Sequence, residues 1–193
     1  MTLTNITDNT FEPLTVSDVR EHLRITSSSE TRLLKSIITT ARQYAERRTG
    51  LRLGTSLWIL SLDTLDADEV VVVPEPPLQA VSSVQYVDIN QTTQTVSTLV
   101  YEIDTGAVPG KIRPRFGKQW PTDILDHPNA INVTFTAGYA SVAEIPCGVI
   151  HGMLLLIGHW YNNREDNTQV NLHSIRSGAE DLFRMHSVLN ELN

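Results

Sequence analysis

A chain of 193 residues, 40% apolar and 19% charged, can bury one real core with a smaller appended module and is too apolar for a disordered one. Its formal charge of −7 argues against a surface that wraps nucleic acid, which shows a basic excess, but leaves room for a local basic strip. The segment Met1-Thr2-Leu3-Thr4-Asn5-Ile6-Thr7-Asp8 has no basic residue and no apolar h-region, so it reads as no signal peptide, and the glycosylation triplets at Asn5, Asn90 and Asn132 read as chance matches.

Residues 1–14 carry few apolar anchors and are expected to form an extended arm. Thr15-Val16-Ser17-Asp18 is a capping-box-like start with Asp18 in place of Glu or Gln, and Val16, Val19 and Leu23 give a short helix one apolar face. Ser27–Glu30 reads as a turn and second helix start. Leu33, Leu34, Ile37, Ile38, Ala41, Tyr44 and Ala45 then recur at helical steps, with Arg47 and Arg48 in the last turn and Gly50 as the natural stop. After Gly50 the period changes to two. Strands are expected around Leu57–Leu62, Val70–Val73, Val81–Asp88, Thr93–Val96, Tyr101–Asp104, Lys111–Arg113 and Ala130–Ala137.

The run Ile145-Pro146-Cys147 through Trp160-Tyr161 reads as one helix, with Pro146 at its first position. It is too short to span a bilayer, which needs ~20 apolar residues. It is also too apolar all round for a solvated surface, so it must be buried in a core or against another copy. A polar loop over 162–171 leads to a last helix, Ala179–Leu192, striped by Leu182, Phe183, Met185, His186 and Leu189. The fold class is α+β: a small α-helical bundle (15–54 and 140–166) with an inserted antiparallel β module (55–139), an N-terminal arm (1–14) and a C-terminal tail (167–193).

Catalytic chemistry finds little support. Gly106–Lys111 has three residues between its glycines where a phosphate loop has four, Ile112 stands where Ser or Thr should be, and Pro114 forbids the following helix, so a β-turn is the better reading. Cys147 and His151 are one helical turn apart, but two ligands fall short of a zinc site, and a packed structural thiol is expected. His159 lies roughly 80° round the same helix from His151, and His22, His127, His173 and His186 are scattered. Asp63, Asp66, Asp68 and Glu69 read as a solvated loop. No catalytic residue, metal or cofactor is assigned. Trp160, Tyr161 and Arg164 are expected as core or subunit-interface anchors. Lys111, Arg113, Arg115 and Lys118 form a basic strip with no acid between Val108 and Pro121. Either it is a solvated strand edge, or it contacts passing DNA or an acidic neighbouring subunit.

The helix opening Ile145-Pro146 and running through Leu154-Leu155-Leu156-Ile157-Gly158-His159-Trp160-Tyr161-Asn162-Asn163-Arg164-Glu165 resembles the head–tail connector (adaptor) family of long-tailed double-stranded-DNA phages and phage-like gene-transfer particles. The amphipathic helix Ser29–Thr49 with Gly50 carries the same resemblance, as do Pro76-Pro77-Leu78, Gly110-Lys111-Ile112, Trp120-Pro121 and Val133–Tyr139. The resemblance implies a structural protein, not an enzyme, with no membrane partner, assembled in the host cytoplasm and placed in the virion neck. It implies a ring of roughly twelve copies closed by head-to-tail contacts. That ring would lie between portal and stopper or tail component, with DNA only as passing cargo. It also implies portal docking through the tail, where Leu182, Phe183, Met185 and Leu189 form the stripe. The alternatives are a stopper or tail-terminator ring protein and, in another class, a hydrolytic enzyme using scattered Asp and His.

Overall fold

The computed structural model describes residues 1–27, 29–163 and 173–188, with backbone alone over 173–177. The chain forms two compact units. One combines residues 1–10 with 55–140; the other combines 11–54 with the described residues from 141 onward.

The first unit holds eight strands: β1 (Thr2–Thr7), β2 (Ser56–Leu62), β3 (Val71–Val73), β4 (Leu78–Val87), β5 (Thr93–Thr95), β6 (Tyr101–Asp104), β7 (Gly110–Pro114) and β8 (Ile131–Ala137). They pair antiparallel in a five-stranded sheet, order β1-β2-β8-β4-β5, and a three-stranded sheet, order β3-β7-β6. Trp58 lies opposite Phe135 and Leu60 opposite Val133. This register puts every second residue of β2 and β8 on one buried face, as the two-residue period requires. That face shares one hydrophobic cluster with Val71, Val73, Tyr101 and Ile112 of the second sheet and with Trp120. Trp120 stacks on Tyr101 with ring centroids 5.8 Å apart, and its buried indole N–H donates to the Glu69 carbonyl at 2.8 Å. Gly110 permits the close approach within this core: a Cβ there would meet Leu78 at 2.5 Å.

The expected N-terminal arm is divided between the two units. Residues 2–7 are edge strand β1, paired with β2 from Thr2 opposite Ser61 to Asn5 opposite Trp58. An extended segment with few apolar side chains still carries a full set of backbone donors and acceptors, and here they satisfy the free edge of β2.

The second unit holds α1 (Val16–Leu23), α2 (Thr31–Thr49), α3 (Cys147–Asn162) and α4 (His173–Arg184). Thr15 caps α1 in a full capping box: its Oγ1 accepts from the Asp18 N–H, and its own N–H donates to the Asp18 carboxylate at 2.8 Å. Gly50 ends α2 in the left-handed conformation, φ 75°. Pro146 is the extended residue before α3 rather than its first helical residue, with ψ 128°. α3 packs against α1, α2 and α4. It buries Val149, Gly152, Met153, Leu156 and Ile157, while Leu154 and Leu155 are half-buried and Cys147 and His151 exposed. Burial is therefore one-faced with apolar flanks, not complete. α4 begins before the expected Ala179 and ends at Arg184, short of the expected Leu192.

Candidate functional site

The terminal helix was expected to dock on another protein; much of it serves its own unit. Gly148 and Gly152 lie one turn apart on α3 and leave a recess that His186 and Phe183 fill. A Cβ on Gly152 would lie 2.6 Å from the Phe183 ring, and one on Gly148 would lie 2.7 Å from His186 Nε2. Phe183 is fully buried and touches Tyr44, which meets Trp160 edge-on at 6.1 Å. Glu180 accepts from the Tyr44 hydroxyl and from Arg48, whose Nε lies at 2.8 Å. Burial pushes the Glu180 carboxyl up, but the hydrogen bonds from Tyr44 and Arg48 and the charge of Arg48 outweigh it and hold the group below its ordinary value. The same bond raises Arg48. Beyond α4, the Val188 N–H donates to the Thr49 carbonyl at 2.8 Å.

Of the four expected docking positions, then, Phe183 is a core residue of the chain itself, because the glycine face of α3 leaves space for its ring. Leu182 is half-buried, Met185 is exposed, and Leu189 lies outside the described residues. Trp160 and Tyr161 are half-buried in the same unit, where the Tyr161 hydroxyl donates to Glu30. Arg164 lies outside the described residues.

The basic strip is not a strand edge. β7 is the middle strand of its sheet, bonded on both sides, so protection from unwanted pairing does not explain its cations. Lys111 and Arg113 share its exposed face, and Arg113 Nε donates to Glu102 of β6 at 2.6 Å. Lys111 lies opposite Asp104. The face thus alternates in sign, and the basic excess falls beyond the strand, at Arg115 and Lys118. Arg115 Nε donates to the Tyr101 carbonyl at 2.9 Å. Between these two cations Phe116 is fully exposed.

The Gly106–Gly110 segment is a turn: the Asp104 carboxylate accepts from the N–H groups of Gly106 and Ala107, each at 3.1 Å. Cys147 is an exposed thiol, contrary to the packed one expected. Among the described residues no group of three His, Cys, Asp or Glu gathers as metal ligands would. Among them too, no helix is long and apolar enough to cross a membrane.

Other features escaped the sequence. Arg42 and Glu46 look like solvated charges on α2 but are both buried and paired at 3.1 Å. Glu12 at 3.0 Å and Arg52 at 3.3 Å complete the cluster, and Glu46 also accepts from the Leu53 N–H at 3.0 Å. Asp88 holds the β4–β5 turn, accepting from Gln94, Thr92 and Asn90; these bonds hold its carboxyl below the ordinary range. The acidic loop contributes Asp63 and Asp66 to a cleft of about 300 Å³, with Leu65, Pro121, Ile124, Leu125 and Asp126 among its other walls.

The described residues thus form a two-unit α+β architecture, whose β unit carries an exposed turn at Phe116 and an acidic cleft. Residues 13–105, a little under half of the chain, match the family model of the phage gp6-like head-tail connector proteins. Solved structures share the fold. A chain in a structure described as the neck of an empty gene transfer agent (GTA) particle computed with C6 symmetry is 22% identical, with TM-score 0.74, over 94% of this chain and 95% of that one. One from the virion of a native GTA particle is 22% identical, with TM-score 0.75, over 97% and 96%. One from the neck of a native GTA particle computed with C12 symmetry is 21% identical, with TM-score 0.71, over 94% of each. No curated protein matches the chain.

Proposed function

We propose that the chain is a structural head–tail connector: one subunit of a ring in the neck of a tailed phage or phage-like particle. The family match over residues 13–105 carries the reading, and the shared fold of neck components supports it. The ring has roughly twelve copies, joined by heterologous contacts that close on themselves. It lies beneath a portal, receives a stopper or tail component below, and extends the channel through which DNA passes. The chain acts by occupying surface, not by catalysing a step. Electron microscopy of the purified protein mixed with portal rings tests this. The expected result is an added ring of density on one portal face; portals that stay bare at saturating protein remove the proposal.

A further inference from the structure

The fully exposed Phe116 sits in a turn that is built, not loose. The Lys118 N–H donates to the Arg115 carbonyl at 2.8 Å, and Gly117 takes φ +72°, the left-handed position such a turn requires. The base is fixed twice more: the Arg115 N–H donates to Val100 at 2.9 Å, and the Arg115 side chain to Tyr101 at 2.9 Å. The bond to Val100 ties on the neighbouring turn, where Leu99 is 74% exposed. A single exposed apolar residue says little. Here an exposed aromatic and an exposed leucine stand on two linked turns, with Arg115 and Lys118 beside the ring.

The same unit carries a feature of opposite charge. The cleft walled by Leu65, Pro121, Ile124 and Leu125 also has Asp66 and Asp126 in its lining, both exposed. Its volume of about 300 Å³ lies in the range that holds small ligands, which accommodates one aromatic side chain. Copies of a chain with formal charge −7 repel one another at long range and meet most readily where their local charges are opposite.

We infer that the Arg115–Lys118 turn of one copy inserts Phe116 into the acid-rimmed cleft of a second copy. Phe116 is the buried anchor of this contact, and Lys118 and Arg115 face Asp66 and Asp126 at its rim. Turn and cleft are different patches, and a turn-into-cleft contact repeated from copy to copy is heterologous, the type from which a closed ring is built. The inference rests on the ring reading above and names the contact that closes it.

The test uses the full chain with portal rings, counting assembled rings by electron microscopy across a protein titration. Four versions are compared: wild type, Phe116→Ala, Lys118→Glu, and Lys118→Glu combined with Asp66→Lys. Phe116→Ala is expected to raise the concentration needed for assembly at least ~10-fold, the scale of losing an interface anchor. Lys118→Glu should weaken assembly, and the charge-swapped double variant should recover it. Thermal unfolding should stay unchanged throughout, since these side chains are exposed. If Phe116→Ala assembles like wild type, the contact is wrong while the connector reading stands. If Phe116→Ala fails but the charge swap recovers nothing, the cleft is not the receptor and the proposal is overturned. If the wild type forms no ring, both readings fall.

Discussion

Glu46 accepts from Arg42, Arg52 and the Leu53 N–H in the interior of the helical unit. Removing one partner of a buried charge cluster leaves the others desolvated and unpaired, which typically costs 3–5 kcal/mol. Arg42 keeps its bond to Glu12, so Glu46→Ala should destabilise by about 3 kcal/mol, at the lower end of that scale. Urea unfolding measures it, and a loss below ~0.5 kcal/mol, the size of an ordinary surface change, would show that the cluster contributes nothing. Glu180 makes a pH-dependent prediction. Its folded carboxyl lies below the ordinary value of 4.5. Such a group contributes stability above its unfolded value, and that contribution disappears as pH falls through the folded value. The melting temperature of the wild type should therefore drop more steeply than that of Glu180→Gln as pH falls from about 5 to 3. Parallel curves would sink the assignment. None of these pairings was legible in the sequence. Arg42 and Glu46 have the spacing of an ordinary helix-surface pair, and they are buried only because Glu12 and Arg52 arrive from other segments. The exposure of Phe116 is illegible in the sequence for the same reason: exposure is decided by the fold, and by hydropathy a phenylalanine reads as core.

The seat of α4 on α3 depends on Gly152 having no side chain. A methyl there would lie 2.6 Å from the Phe183 ring, so the ring must leave its recess or the helices must part. Gly152→Ala should cost about 1–3 kcal/mol, the usual penalty of overpacking. The smaller side chain of a second change, Phe183→Leu, should restore part of that loss, which a double-mutant cycle on thermal unfolding would read. Strict additivity would mean that the two positions do not meet. Elements with a strong period or a named stop were readable in advance: α2 from its apolar steps and Gly50, α1 from the Thr15–Asp18 box, β6 from Tyr101–Asp104. β1 was not, because Thr2–Thr7 has almost no apolar pattern and its pairing is made by backbone. The end of α3 nearest Pro146 shifted by a residue because proline fixes φ and leaves ψ free.

At the scale of the molecule, α4 bears on what a shortened chain would do. Stopping the chain after Asp166 removes Phe183, Glu180 and Ala179 and uncovers the glycine face of α3. Losing the burial of one large aromatic and its neighbours costs about 3 kcal/mol or more. For a chain of this size that is a fall of roughly 6–12 °C in melting temperature. A truncated protein that melts like the full chain would show instead that the tail is dispensable for folding. The basic strip on β7 and the acidic loop beside Trp120 were both visible as charge runs, but only the strand order shows that the strip lies at the centre of its sheet. The chain passes between its two units at residues 10–11, 54–55 and 140–141. On the β side these crossings gather: the Thr10 N–H donates to the Thr55 carbonyl at 3.1 Å, and the Thr55 hydroxyl donates to the Tyr139 carbonyl at 2.9 Å. The β unit is therefore a cassette whose three seams meet at one clasp. A graft cut at those seams, carrying β1 along with residues 55–140, could exchange whole β units between homologous chains with all the strand partners kept together, whereas a graft that leaves β1 behind would strip the edge of β2 and expose it to pairing with any other extended chain.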